Sequence, residues 1–143
     1  MTDCRKLRLS LESTLDSIDA AELIVQRLAE LNGFNEDQVH QIGMGVRETV
    51  ANAVKHGNAF NLAKRVSFDA AVDEAAFEVT VTDQGAGFEL EDVADPCEGD
   101  NLLRASGRGL LMMKAFFDEV EVGRCAGTGT RVRLVKYCAK GAS

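Results

Sequence analysis

One stretch, residues 35–58, constrains this chain more than any other because a single predicted helix carries two different stripes along it. Apolar side chains recur at spacings of three and four, which predicts that one helix face packs against a core. Glu48 and Asn52 lie four residues apart on a second face, with Lys55 and His56 one turn further on. A carboxylate, a carboxamide and a cation therefore project from one wall, which is either a solvated surface or part of a site. The apolar stripe consists of Val39, Ile42, Val46, Val50 and Ala53.

Three glycine-marked turns follow that helix. They span residues 83–88, 106–111 and 127–130, and each stands at the end of a predicted strand or the start of a predicted helix. Glycine at such places permits positive φ or close approach of the backbone to a ligand. Two common nucleotide folds are excluded, because the chain has no P-loop motif and the first turn has Leu90 where a dinucleotide fingerprint needs its third glycine.

The periodicity along the rest of the chain predicts one domain, residues 1–143, with an α/β (α+β) architecture. Strand-like alternation and helical spacing succeed each other in an order that favours a two-layer sandwich, in which helices cover one face of a mixed, mostly antiparallel sheet. The predicted elements are a strand at 6–11, helices at 13–32 and 35–58, a hairpin of strands at 65–73 and 76–82, an aperiodic loop at 89–106, a helix at 107–117 and strands near 120–122 and 131–137.

Composition narrows the classes of function. The 143 residues carry 16 Lys plus Arg against 23 Asp plus Glu, and a net charge of −7 opposes non-specific attraction to nucleic acid or anionic membranes. No apolar run approaches the ~20 residues of a membrane span, and the N-terminal stretch lacks the features of a secretory signal. The four cysteines form no CxxC pair, so we expect a cytoplasmic protein with reduced thiols.

Two glycines, Gly43 and Gly45, lie inside the second predicted helix. Each costs ~1 kcal/mol relative to alanine in a helix interior, so tertiary packing must hold this segment. Close approach of backbone or ligand is one explanation. We interpret the two glycines as simply tolerated.

The polar helix face followed by these three turns resembles the GHKL superfamily of gyrase, Hsp90, histidine kinases and MutL. Within it, the chain is most similar to the small bacterial anti-sigma-factor serine kinases, and the likeness covers nearly the whole chain, including the runs at 95–103 and 106–110. The resemblance implies a Bergerat-type fold with ATP and Mg²⁺ as cofactors, and it makes the loop at about 89–106 the lid over the nucleotide phosphates.

The resemblance also assigns the nucleotide contacts. Asp83 would accept a hydrogen bond from the adenine amino group, while Gly85 and Gly87 pass close to the base and sugar. Asn52 would hold Mg²⁺ through its side-chain oxygen, and Lys55 would reach a phosphate as a point charge. Read without the resemblance, an Asp before Gln-Gly is also a common turn former.

A phosphate site is implied at the start of the third helix, where backbone N–H groups would bind the β- and γ-phosphates. The residues concerned are Gly107, Arg108, Gly109 and Leu110. Arg108 would add a charged contact, although an arginine beside glycine is also commonly solvated. In the last turn, Thr130 is preferred over Thr128 as the ligand contact.

Glu48 distinguishes a kinase from a protein that only binds nucleotide. The family's matching glutamate acts as general base toward the acceptor hydroxyl that attacks the γ-phosphate. The alternative is a glutamate paired with Arg47 or Lys55. We interpret His56 as a structural residue at the helix end.

These implications define an ATP- and Mg²⁺-dependent serine protein kinase that is also an anti-sigma factor. Its expected substrate is a serine on a small STAS-type anti-anti-sigma protein, its second partner is a sigma factor, and the family habit implies a homodimer. The main alternative is a nucleotide-gated binding module without phosphoryl transfer. An ATPase of the gyrase or Hsp90 kind and a histidine-kinase catalytic fragment fit less well.

Overall fold

The computed structural model describes residues 5–85, 107–124 and 129–138, and in 107–110 it describes the backbone alone. The elements, in chain order, are β1 (Arg5–Glu12), α1 (Leu15–Leu31), α2 (Glu36–Asn52), a π-helical turn (Ala53–Gly57), β2 (Arg65–Val72), β3 (Ala76–Thr82), α3 (Gly107–Phe116), β4 (Glu119–Arg124) and β5 (Thr130–Tyr137). Each predicted strand and helix outside the 89–106 loop is present. Among the described residues, no helix has the length and apolarity needed to cross a membrane.

The five strands form one sheet in the order β1-β2-β3-β5-β4. One row of paired residues, Phe68, Val81 and Val132, runs across its centre. Every strand pair in the described part of the chain is antiparallel, so the parallel component of the predicted mixed sheet does not occur there. The predicted class, a two-layer α+β sandwich with a mostly antiparallel sheet, is confirmed.

The core lies between one face of this sheet and the helices. Strand alternation sends Phe68, Phe77 and Leu134 to that side, where they are fully buried together with Ile42 of α2 and other apolar residues of α1 and α2. The opposite face carries charged pairs such as Arg8 with Asp69. In the described part of the chain, helices therefore cover one face of the sheet, as predicted.

Helix α2 begins at a capping box and ends in an irregular turn. Asn35 accepts from the backbone N–H of Gln38 at 2.8 Å, and the Gln38 side chain accepts from the Asn35 N–H at 3.0 Å. At its other end, the chain widens into the π-helical turn that closes at Gly57. Such turns are frequent at functional sites, and the last residue of this one, Gly57, lies against Asp83, the residue that follows β3.

The interpretation of the two helix glycines as merely tolerated is wrong. A β-carbon at Gly43 would lie 2.5 Å from Nε2 of Gln26, and one at Gly45 would collide with the ring of Phe117. Both positions are contact points, one with α1 and one with the residue that follows α3. Close packing of neighbouring elements, which periodicity within one helix does not reveal, accounts for both glycines.

Candidate functional site

The centre of the site is the Asp83 carboxylate, which follows directly after β3. Asp83 is only 5% exposed. Its Oδ1 accepts from the backbone N–H groups of Gly85 and Thr130, both at 3.0 Å, and its own N–H donates to the Thr130 carbonyl at 2.9 Å. No donor from the described residues contacts Oδ2. One carboxylate oxygen is thus held by backbone, and the other is available to a ligand.

Burial raises the pKa of Asp83 above its ordinary value, because a charged carboxylate loses its hydration there. The two backbone hydrogen bonds and the charge of Lys64 act in the opposite direction but do not cancel the effect of burial. An N–H donor placed on Oδ2 would stabilise the ionised form further. The carboxylate therefore favours a ligand that offers a hydrogen-bond donor.

Three glycines allow the chain to close around this carboxylate. A β-carbon would strike Oδ2 of Asp83 if it were added at Gly57, the Gly57 carbonyl if at Gly85, and the Asp83 carbonyl if at Gly129. Gly129 also has a φ of +94°. Of these three glycines, sequence analysis named only Gly85 as a contact. Gly129 belongs to the glycine-marked turn at 127–130 but received no role of its own, and Gly57, at the end of the polar helix, was missed.

Two buried polar atoms near these segments have no hydrogen-bond partner among the described residues, the Oγ1 of Thr130 and the Nδ2 of Asn52. Leaving such an atom unpaired costs about 1–3 kcal/mol, so a bound polar molecule that pairs with them would recover that energy. Thr130 also binds Asp83 through its backbone, so its hydroxyl and Oδ2 of Asp83 supply a donor and an acceptor in one region. This donor and acceptor set fits a nucleotide with an exocyclic amino group.

A second region is a cavity lined by residues of α1, α2 and α3. Glu48 and Lys55 line a cavity of about 470 Å³ between α1 and α2, with Met112 of α3 on a further wall. Arg47 at its rim bonds to α1, 2.6 Å from Asp19 and 2.9 Å from Glu22, and these hydrogen bonds raise the pKa of its guanidinium. The cavity thus combines apolar walls with the Lys55 ammonium and the carboxylate of Glu48, the residue for which the resemblance implies a general-base role.

The structure therefore sorts the predicted residues into two groups. Asp83, Gly85 and Thr130 come together at the ends of β3 and β5, whereas Glu48 and Lys55 line the cavity. Asn52 follows Glu48 by one turn of α2 and is buried, outside the cavity lining.

Several predicted positions are described only partly or not at all. Gly87, Thr128 and the predicted lid at 89–106 lie outside the described residues. The predicted phosphate site coincides with the first turn of α3, whose backbone is helical from Gly107 onward, and the side chains there are not described. The positions in that turn are Gly107, Arg108, Gly109 and Leu110.

Comparison with known proteins gives a consistent result. A family model described as a histidine kinase-like ATPase domain matches residues 11–136. The serine-protein kinase RsbW of Oceanobacillus iheyensis is 23% identical over 146 aligned positions, covering 98% of this chain and 91% of that protein. The anti-sigma F factor of Bacillus thuringiensis is 34% identical over 103 positions, which cover 71% of this chain and 70% of that one.

A solved structure shares the fold. It contains the RsbU and RsbW domains of a Mycobacterium tuberculosis protein, and it superimposes with a TM-score of 0.67 at 21% identity. The match covers 92% of this chain and 32% of the solved one. At this identity, the likeness supports the architecture of sheet and helices.

Proposed function

Since the chain belongs to the histidine kinase-like ATPase family, we propose that it is an ATP-dependent serine protein kinase that also acts as an anti-sigma factor. Relatives named serine-protein kinase RsbW and anti-sigma F factor support both halves of this function. The observation that carries it is the buried Asp83 carboxylate, which has one oxygen tied to backbone N–H groups and the other without a donor among the described residues. That arrangement suits the amino group of adenine.

The proposed nucleotide contacts divide between base and phosphates. Asp83 accepts from the adenine amino group, the glycines at 57, 85 and 129 permit close approach, and the Thr130 hydroxyl takes up a ligand hydrogen bond. Guanine presents a carbonyl where adenine has its amino group, so the ionised carboxylate would repel it. Gly87 joins the base contacts by resemblance.

The phosphate end of the proposed site is built from α2, α3 and the lid. The first turn of α3 offers backbone N–H groups at a helix N-terminus, which favour an anion, and Lys55 adds a positive charge. We assign the 89–106 segment as the lid. By resemblance, Asn52 would hold Mg²⁺ through its side-chain oxygen, a hard ligand, while its buried Nδ2, which has no partner among the described residues, would donate to a phosphate oxygen. Mg²⁺ would neutralise charge on the phosphates.

Glu48 is the proposed general base. It lies four residues before Asn52 on the same helix and lines a cavity that an acceptor segment could enter. Its carboxylate would take the proton from a serine hydroxyl as the hydroxyl oxygen attacks the γ-phosphorus, with ADP as the leaving group. The Arg47 guanidinium is engaged with Asp19 and Glu22 of α1.

The proposed substrate is a serine on a STAS-type anti-anti-sigma protein. Phosphorylation would weaken the hold of that protein and leave the kinase free to sequester a sigma factor. Charge is consistent with protein partners, since a net −7 disfavours direct binding to nucleic acid. We further propose that the working unit is a homodimer and that it acts in the cytoplasm.

Transfer of label from γ-labelled ATP, with Mg²⁺, into a lysate of the source organism tests this function. We expect one small phosphoserine-bearing acceptor with the wild type, and a rate about 10²- to 10⁴-fold lower with Glu48→Gln, the range that general-base catalysis supplies. ATP affinity should be the same in both proteins. If both bind ATP and neither labels an acceptor, the kinase is excluded and the nucleotide-gated binding module replaces it.

A further inference from the structure

We propose that Asn58 is a positioning residue that sets the orientation of the Asp83 turn and thereby the preference for adenine. The inference rests on the proposed function, in which Asp83 recognises the base. Asn58 lies one residue beyond the π-helical turn and is only 1% exposed. It belongs neither to the proposed nucleotide contacts nor to the lining of the Glu48 cavity.

The side-chain amide of Asn58 joins three separate segments of the chain. Its Oδ1 accepts from the backbone N–H of Gln84 at 2.9 Å. Its Nδ2 donates to Oγ of Ser13 at 2.9 Å and to the carbonyl of Arg65 at 3.1 Å. Ser13 lies 45 residues from Asn58 along the chain and Gln84 lies 26 residues away, so these two contacts are tertiary. Arg65 is only 7 residues away.

The chemistry of the partners permits only one orientation of this amide. A backbone N–H can only donate and a backbone carbonyl can only accept, so Oδ1 must face Gln84 and Nδ2 must face Arg65. Ser13 donates its hydroxyl proton to the carbonyl of Lys64 at 2.6 Å, which leaves its oxygen to accept from Nδ2. Asparagine supplies two donors and an acceptor, whereas an ionised aspartate has no donor and a hydroxyl has only one.

Gln84 is the link between Asn58 and the carboxylate. It stands between Asp83 and Gly85, and the N–H of Gly85 is one of the two donors to Oδ1 of Asp83. Its side chain adds a second tie, since Oε1 accepts from the Arg65 N–H at 2.6 Å. Holding the Gln84 peptide therefore holds the turn that aims the carboxylate.

The backbone directly after Asn58 supports a constrained role. Ala59 and Phe60 have φ angles of 51° and 60°, a left-handed conformation that costs free energy in residues other than glycine. Such a conformation persists where surrounding contacts determine it. The buried Asn58 amide and the backbone bond from Phe60 N–H to the Val54 carbonyl, at 2.9 Å, provide those contacts.

The test compares dissociation constants for ATP and GTP in the wild type and in Asn58→Ala. We expect ATP to bind about tenfold more weakly, the worth of one hydrogen bond to a buried group, while GTP changes little because the phosphate contacts lie elsewhere. Ser13→Ala is the matched control: it removes one partner of the same amide and leaves the Gln84 contact. It should lower the unfolding temperature without altering the ATP-to-GTP ratio.

Asn58→Asp separates position from stability, because it keeps the acceptor for Gln84 and loses both donations. We expect Asn58→Asp to retain most of the preference for ATP over GTP despite its lower stability. If Asn58→Ala does not fold, the same comparison is made with Asn58→Ser, whose side chain is too short to reach Gln84. Equal weakening of ATP and GTP in Asn58→Ala would overturn the inference. A wild type that does not prefer ATP would overturn the proposed base recognition itself.

Discussion

The Asp83 region and the Glu48 cavity both adjoin the segment formed by α2 and the π-helical turn, but they are built in different ways. Around Asp83, backbone N–H groups, three glycines and the buried Asn58 amide define the geometry. Around Glu48, side chains on helix surfaces define it, and the nearby link between α1 and α2 is an ion pair whose arginine is 45% exposed. The proposed base site is thus pre-organised, whereas the side proposed for catalysis can adjust.

This difference fits the division of labour in the proposed function. The proposed site binds one fixed ligand, ATP, so a rigid backbone site suits it. Rigidity also limits the conformational entropy that the protein loses when the ligand binds. An acceptor protein must dock and leave, and a cavity between helix surfaces tolerates small shifts of either helix. Substitutions near Asp83 should therefore alter nucleotide affinity, and those near Glu48 should alter transfer.

Asp83→Asn should have the largest effect on binding. The carboxamide keeps an oxygen for the N–H groups of Gly85 and Thr130 but can turn an NH₂ group toward the adenine amino group, so two donors would meet. We expect ATP to bind about 100-fold more weakly, the worth of a hydrogen bond to a charged group, as measured by titration calorimetry. Unchanged affinity would remove Asp83 from the base site.

The Asp83 carboxylate should also make the unfolding free energy of the nucleotide-free protein depend on pH, and Asp83→Asn is the reference that lacks this group. Since burial raises the pKa of Asp83 in the folded state, the folded state holds this proton more tightly than the unfolded chain. The stabilisation is fully present below the ordinary carboxyl pKa and is lost as pH rises through the raised one. The unfolding free energy of the wild type, relative to Asp83→Asn, should fall across that window in urea titrations.

Gly57→Ala tests whether close packing defines the Asp83 region. The added methyl group would collide with Oδ2 of Asp83, so the carboxylate or the π-helical turn must move. We expect a loss of about 1–3 kcal/mol in the free energy of unfolding, as for other overpacked sites, together with weaker ATP binding. Gly123→Ala is the control, because a β-carbon there meets nothing within 4 Å. Equal stability of the two variants would contradict the tight-packing argument.

Periodicity and capping patterns predicted most of the fold but only part of the site. The strands and helices followed from alternation and helical spacing, because these signals are local in sequence. The same polar stripe singled out Glu48 and Asn52. Their roles, like that of Asp83, came from family resemblance rather than from spacing.

Contacts between distant segments could not be predicted in this way. Gly57 and Gly129 matter because each touches Asp83, and Asn58 matters because it touches Gln84, contacts that span 26 residues or more. Nothing in the local pattern around any of these residues specifies its partner. The glycines of α2 were misread for the same reason, since Gln26 and Phe117 lie on other elements.

Arg47→Met should have the smallest effect of these substitutions on stability and the most informative one on the cavity. It removes the ion pairs to Asp19 and Glu22 while keeping much of the apolar stem, and we expect about 0.5 kcal/mol of destabilisation at low salt, with less at high salt, as for exposed pairs. Arg27→Met is the matched control, because its pair with Glu30 stays within α1. If the α1–α2 link helps to shape the wall beside Glu48, Arg47→Met should slow label transfer about twofold, the rate equivalent of that small energy, with ATP affinity unchanged. Arg27→Met should leave the transfer rate as it is. Equal transfer rates in the two variants would mean that the cavity does not depend on this link, and the contrast between a rigid and an adjustable side would then rest on the Asp83 region alone.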